Sequence, residues 1–386
     1  MAPTSSSAKP EAAGLESRLE RIHRLITSSP VRIAAIFAIG GRVLFSAIAA
    51  LLAPHLQLDP AVVHSNELTD HLMSQSAGWK YALLGVWERF DTLWYIHIAQ
   101  SGYDRPDAIV FYPLYPLLIA LSHLPPLIAA LLISTVSSFL FAWGLQKLVM
   151  LDDSLAVGVR ALVLYLVWPA GFMLFAAYPE SLLLCCVVWA IYFARTGNAV
   201  ATAIMALLAG ATKALGVVVL LPIAFTAIRE MKWRVLAASI GAACVPFALA
   251  IWVNASGRMG AEQVYAAYWR TTVALPWRTF WVGLNAAAPF GGLNILALCL
   301  VLVFAFTFAR RFDYSLFAAG VLCLVLSKET MPLLQSTSRY VMLIFPAFIN
   351  AGRELESRLR FALFAGALAL IAFNVLERFL AWWLIV

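Results

Sequence analysis

Charge is what this chain has least of. Only 12% of its 386 residues are Asp, Glu, Lys or Arg, and 63% are hydrophobic, whereas a soluble domain carries about 25% charged residues. A water-soluble protein of this length could not hide so much apolar surface. Cysteine is sparse as well. Cys185, Cys186, Cys244, Cys299 and Cys323 all fall inside apolar runs without CxxC spacing, so they read as small core residues, neither disulfides nor metal ligands. DxD, GxGxxG, Walker and HExxH patterns are missing, which leaves a cytoplasmic enzyme using a nucleotide donor without support. His55, His64 and His71 share one hydrophilic stretch, but their spacing fits no metal motif, so no metal and no cofactor is expected.

What is present is a series of continuous apolar runs. Their length argues for membrane-spanning helices and against the alternating ten-residue segments of a β-barrel. The fold class expected is an all-α polytopic membrane protein. Spans are placed at 33–54, 125–148, 155–176, 180–195, 199–213, 214–228, 235–253, 291–309, 314–327, 339–352 and 361–384, about eleven in all. Residues 111–123 are expected to form a short piece dipping in from the outer side, interrupted by Pro113 and Pro116. Two outer loops follow at 55–110 and 254–288. The second is rich in aromatics (Tyr265, Tyr268, Trp269, Trp277, Phe280, Trp281), which suits an interfacial belt or, less simply, a sugar-binding surface.

The net charge of +7 sits in short clusters between spans, as the positive-inside rule requires; it is no sign of nucleic-acid binding. Residues 1–32 divide into a polar tail and, over 15–26, an amphipathic helix on the inner membrane surface. No signal peptide precedes the first span, so that span is expected to direct insertion. Lys9, Arg18, Arg21, Arg24 and Arg32 precede it, and the acid-rich loop 55–110 follows. The N-terminus is therefore expected in the cytoplasm and residues 33–386 as one transmembrane domain. The basic linkers 229–234, 309–312 and 352–361 should share the cytoplasmic side, which leaves the C-terminus outside.

Under this topology the polar residues that interrupt apolar sequence fall on the outer side: Asp91, Glu180, Lys213, Lys328, Glu329 and Arg339. An ionised group in a bilayer costs roughly 2.5–3.5 kcal/mol or more, so such residues usually face a cavity. Snorkelling of Lys213 and Arg339, and a helix-start charge at Glu180, are the plain alternatives. Residues 90–100, "FDTLWYIHIAQ", fit a short interfacial helix with Asp91, Tyr95 and Ile98 on one face and Trp94 and His97 on a neighbouring one.

The stretches "FDTLWYIHIAQSGY" and "FYPLYPLLIAL", then "PAGFMLFAAYPESLLL", "GATKALGVVVLLP" and "SRYVMLIFPAFI", occur in this order over residues 87–350. Together they resemble the PIG-V family, the GPI mannosyltransferase II enzymes and their bacterial relatives. The chain departs from the family pattern at Phe90, Pro179 and Lys213, where Trp, a small polar residue and Arg are usual. A lysine at 213 lacks the bidentate fork an arginine would bring to a phosphate.

The resemblance implies a GT-C-like fold and an inverting glycosyltransferase. Such an enzyme moves a hexose, here expected to be mannose, from a polyprenyl-phosphate donor to an acceptor hydroxyl on the extracytoplasmic face. Asp91 would correspond to the catalytic acid of the first loop, acting as base. Arg339 and Lys213 would hold the donor phosphate. Glu180, Tyr95, His97, Tyr112, Tyr115 and Tyr178 are the sugar- or acceptor-pocket candidates. The partners implied are the lipid-linked donor, a glycolipid, glycan or protein acceptor, and membrane lipids, in a bacterial cytoplasmic membrane. The competing readings are a transporter or flippase of lipid-linked substrates, which calls for an internal repeat, and a non-catalytic membrane subunit.

Overall fold

The computed structural model describes residues 29–64, 66–285, 291–330 and 333–383. The tail and the amphipathic helix expected over 15–26 lie outside the described residues. Among the described residues the structure is all-α apart from one small ribbon. Among these residues four helical stretches are long and apolar enough to cross a membrane: Pro30–His55, Pro126–Val149, Trp233–Ala255 and Arg358–Leu380. Shorter apolar helices accompany them, including Leu155–Val167, Ala199–Thr212 and Phe312–Leu326.

In chain order the elements used below are α1 (Pro30–Leu52), α2 (Asp91–Ser101), α3 (Leu114–Leu121), α4 (Pro126–Val149), α5 (Leu155–Val167), α6 (Glu180–Thr196) and α7 (Ala199–Thr212). After these come α8 (Leu220–Arg229), α9 (Trp233–Ala255), α10 (Ala261–Tyr268), β1 (Thr271–Val273), α11 (Pro276–Asn285) and α12 (Gly291–Leu302). The chain continues through α13 (Phe312–Leu326), β2 (Lys328–Thr330), α14 (Thr337–Val341), α15 (Phe345–Glu354) and α16 (Arg358–Leu380). Pro30 and Pro126 open their helices at the first position, where a missing N–H costs nothing and the fixed φ suits the helix.

Helix α6 is the centre of the bundle. It is buried along most of its length and is flanked by α4 and α7. Small residues on α4 make the close approach: Ser134 and Ser138 donate to the Tyr178 and Leu174 carbonyls at 3.0 and 2.7 Å. These bonds satisfy backbone groups of a non-helical stretch that has no water to turn to. Large apolar side chains face outward on the outer helices, among them Ile39 and Val43 on α1 and Leu363 and Leu370 on α16. That is how a helix facing hydrocarbon looks.

Two expected spans and one expected loop are reshaped. Helix α5 stops at Val167 instead of running to 176, because Pro169 cannot continue it, and the chain crosses the interior through a 3-10 turn at Gly171–Leu174. The expected span 339–352 is two short helices, α14 and α15, parted at 342–344 ahead of Pro346 and buried almost throughout. Residues 254–285 are more structured than a loop. They hold α10, β1 and α11, and β1 pairs antiparallel with β2 in the register Thr271↔Thr330, Thr272↔Glu329 and Val273↔Lys328. The expected short elements are present as α2 and the eight-residue α3.

The two ends of the bundle carry different charge clusters. Glu180 opens α6 and Arg195 lies near its far end, about 22 Å away at roughly 1.5 Å per residue. At the Arg195 end, Asp152 pairs with Arg195 at 2.7 Å and Arg311 at 3.4 Å. Arg353 pairs with Asp153, and the Lys232 ammonium donates to the Arg195 carbonyl at 2.7 Å. The three basic linkers thus converge on one end. At the other, the Leu380 carbonyl of α16 meets Arg89, which puts the end of α16 beside the start of α2.

Candidate functional site

A turn that is hard to hold precedes α2. Phe90 has φ 48°, a backbone region that costs an aromatic residue energy. The neighbouring Arg89 fixes it. Its side chain is buried, with Nε donating to the Leu380 carbonyl at 2.9 Å, Nη1 to the Gly85 and Glu88 carbonyls at 3.0 Å, and Nη2 to the Tyr81 hydroxyl at 2.9 Å. The guanidinium also lies 4.9 Å from the Trp382 ring, and Phe90 packs on Phe379 and Trp382. The end of α16 therefore determines where Asp91 stands.

Three distant segments bring their charges to that carboxylate. Arg339, on α14 just after the left-handed Ser336, places Nη2 2.7 Å from Asp91 Oδ2 and Nε 2.6 Å from Glu180 Oε1. Lys213 Nζ lies 2.7 Å from the same Glu180 oxygen. Lys213 reaches it because α7 ends in an extended residue there before resuming as the 3-10 turn Ala214–Val219. Gly216 permits that fold-back: a Cβ on it would stand 1.9 Å from the Ala209 carbonyl oxygen. Tyr178 lies against the Arg339 guanidinium at 4.7 Å, and Tyr340 against it at 5.5 Å. The two carboxylates and two cations balance. Glu180 and Arg339 are 0% and 5% exposed in their side chains, Lys213 17% and Asp91 24%, so Asp91 is the most open member of the four.

That space is a cleft of two adjoining chambers. The smaller, about 120 Å³, has largely apolar walls including Val110, Phe111, Leu215 and Leu324, with Lys213 among them. The larger, about 350 Å³, is the more polar of the two, with Asn66, Glu67, Asp107, Gln335 and Thr337 beside Phe90, Trp94 and Trp269. Asp91, Arg339, Lys328, Tyr265 and Tyr340 line both. Trp94 stacks on Phe111 at 5.4 Å, and Trp269 meets both rings edge-on at 5.5 Å. Burial pushes the Tyr265 phenol up to about 12, so it enters the cleft as a neutral hydroxyl.

The residues singled out from sequence separate accordingly. Asp91, Glu180, Lys213 and Arg339 form one ion-paired cluster; Tyr95, Tyr112 and Tyr178 line the chambers. His97 and Tyr115 line neither. His97 sits six residues beyond Asp91 and so projects from another face of α2, where its Nε2 lies 2.7 Å from Asp104 Oδ1 and that contact holds the Asp104 carboxyl below its ordinary value. Tyr115 is fully buried, with its hydroxyl between the Ala130 carbonyl at 2.9 Å and Ser134 at 2.8 Å. The aromatic loop divides: Tyr265, Tyr268 and Trp269 face the cleft, while Trp277 and Trp281 are exposed. Arg89 and the partnership of Lys328 with Tyr265 were not legible, since neither follows from local spacing. Among the described residues no group of His, Cys, Asp and Glu could hold a metal ion.

No protein-family model and no curated protein sequence matches the chain.

Proposed function

We propose that this chain is an integral-membrane glycosyltransferase of GT-C type with about eleven crossings. It would move a hexose, mannose in the preferred case, from a polyprenyl-phosphate donor to an acceptor hydroxyl on the extracytoplasmic side of a bacterial cytoplasmic membrane. One observation carries the reading. The Asp91 carboxylate opens into a cleft at one end of the bundle, held 2.7 Å from a buried arginine and boxed by aromatic rings. Aromatic faces beside a carboxylate suit a sugar, and an apolar chamber beside a polar one suits a substrate that is half lipid and half glycan.

In the proposed step the acceptor hydroxyl gives its proton to an Asp91 oxygen while its own oxygen bonds to the anomeric carbon. The bond from that carbon to the phosphate oxygen breaks, and polyprenyl phosphate leaves with the electron pair. Attack opposite the leaving group inverts the centre. Arg339 fixes the Asp91 carboxylate and faces the developing phosphate charge; Lys213 acts on the same charge from the smaller chamber while paired with Glu180. Tyr178 walls the sugar in the larger chamber, and Tyr95 and Tyr112 wall the smaller chamber beside the reacting carbon. The three basic linkers converging on the opposite end support placing the site outside, by the positive-inside rule.

The test is transfer of label from polyprenyl-phosphate-mannose into a membrane lipid and glycan extract by the purified protein. A positioned base contributes about 10²–10⁴-fold, so Asp91→Asn should lose at least that much activity while eluting and unfolding like the parent. Near-normal turnover in that variant would remove the mechanism.

A further inference from the structure

Both cations expected from sequence to hold the donor phosphate are already engaged. Arg339 gives Nε and Nη2 to two carboxylates, and Lys213 gives Nζ to Glu180. Lys328 is different. Its Nζ donates to the Tyr265 hydroxyl at 3.2 Å and lies 4.5 Å from that ring, and no carboxylate pairs with it among the described residues. Lys328 is half-buried, and it lines both chambers, whereas Lys213 lines only the smaller.

Its position is built rather than incidental. Lys328 belongs to β2, which is held against β1 by the ladder opposite Val273, by the Thr271–Thr330 hydroxyl contact at 2.9 Å and by the Ala274 amide donating to the Ser327 carbonyl at 2.9 Å. The strand β1 follows α10, which carries Tyr265. The ribbon therefore delivers an ammonium and its phenol partner to the junction together. A free lysine there has three rotatable donors on a point charge, and only one is used.

We infer that Lys328 is the residue that grips the phosphate of the lipid-linked substrate, at the boundary where an isoprenoid in the apolar chamber would join a sugar in the polar one. The inference rests on the transferase reading and names a phosphate contact that reading did not. The linking phosphodiester carries one negative charge, and the departing monoester carries more. An uncommitted ammonium thus gains most at the moment the bond to the anomeric carbon breaks.

Titration of the purified full chain with farnesyl phosphate and with farnesol, followed by intrinsic tryptophan fluorescence, tests it. The parent should bind the phosphate more tightly than the alcohol. Lys328→Gln should weaken phosphate binding by about ten- to a hundredfold, the worth of a hydrogen bond to a charged group, and leave farnesol binding unchanged. Lys328→Arg should keep most of the preference. Farnesol binding reports folding in each variant, and Lys328→Met, which keeps the aliphatic stem, serves if the Gln variant does not fold. A neutral variant that retains the parent's preference overturns the role of Lys328 while the transferase reading stands. A parent that does not distinguish phosphate from alcohol overturns both.

Discussion

The Glu180 carboxylate lies 2.6 Å from Arg339 Nε, wholly buried, and takes Lys213 on the same oxygen, while its second oxygen has no hydrogen-bond partner among the described residues. One anion thus compensates two cations from two other segments, and Arg339 passes the arrangement on to Asp91. Glu180→Gln removes that compensation and leaves the cations with one carboxylate between them. Breaking a buried pair in this way costs about 3–5 kcal/mol. A large fall in the detergent-phase unfolding midpoint is expected, and a variant as stable as the parent would show the cluster to be dispensable.

Gly216 marks where backbone, rather than charge, shapes the site. A methyl there would press on the Ala209 carbonyl, so Gly216→Ala should cost about 1–3 kcal/mol by overpacking and displace Lys213 from Glu180. Gly40, on an exposed stretch of α1, has nothing within 4 Å of an added Cβ. Gly40→Ala should be neutral or gain up to about 1 kcal/mol from helix propensity. Paired thermal unfolding of the two variants reads the contrast; equal effects would contradict it.

At the opposite end, Asp152 serves Arg195 and Arg311 together. Burial pushes its carboxyl up, but the two guanidiniums outweigh it and hold the group below its usual value. A depressed folded value means the contribution is full above the unfolded value, about 3.9, and is lost as pH falls through the lower folded one. The pair is partly exposed, so Asp152→Asn should cost only about 1 kcal/mol at neutral pH. The difference from the parent should shrink as the medium is acidified, and also in 1 M salt, where screening acts over about 3 Å. Unfolding midpoints across pH and salt give the check, and a difference insensitive to both would mean the network does not act electrostatically.

The sequence by itself determined the class of structure. Apolar runs of helical length, few charges and basic linkers follow from the cost of exposing backbone and charge to hydrocarbon, and that cost is read residue by residue. It also marked Asp91, Glu180, Lys213 and Arg339, because each interrupts apolar sequence. Their pairing was decided only in three dimensions. The strain at Phe90 held by Arg89, the break at Lys213, the split between α14 and α15, and the ribbon that sets Lys328 beside Tyr265 all depend on contacts between residues far apart in the chain. Local periodicity reports which face of a helix is apolar; it carries no record of which distant carbonyl or carboxylate that face will meet.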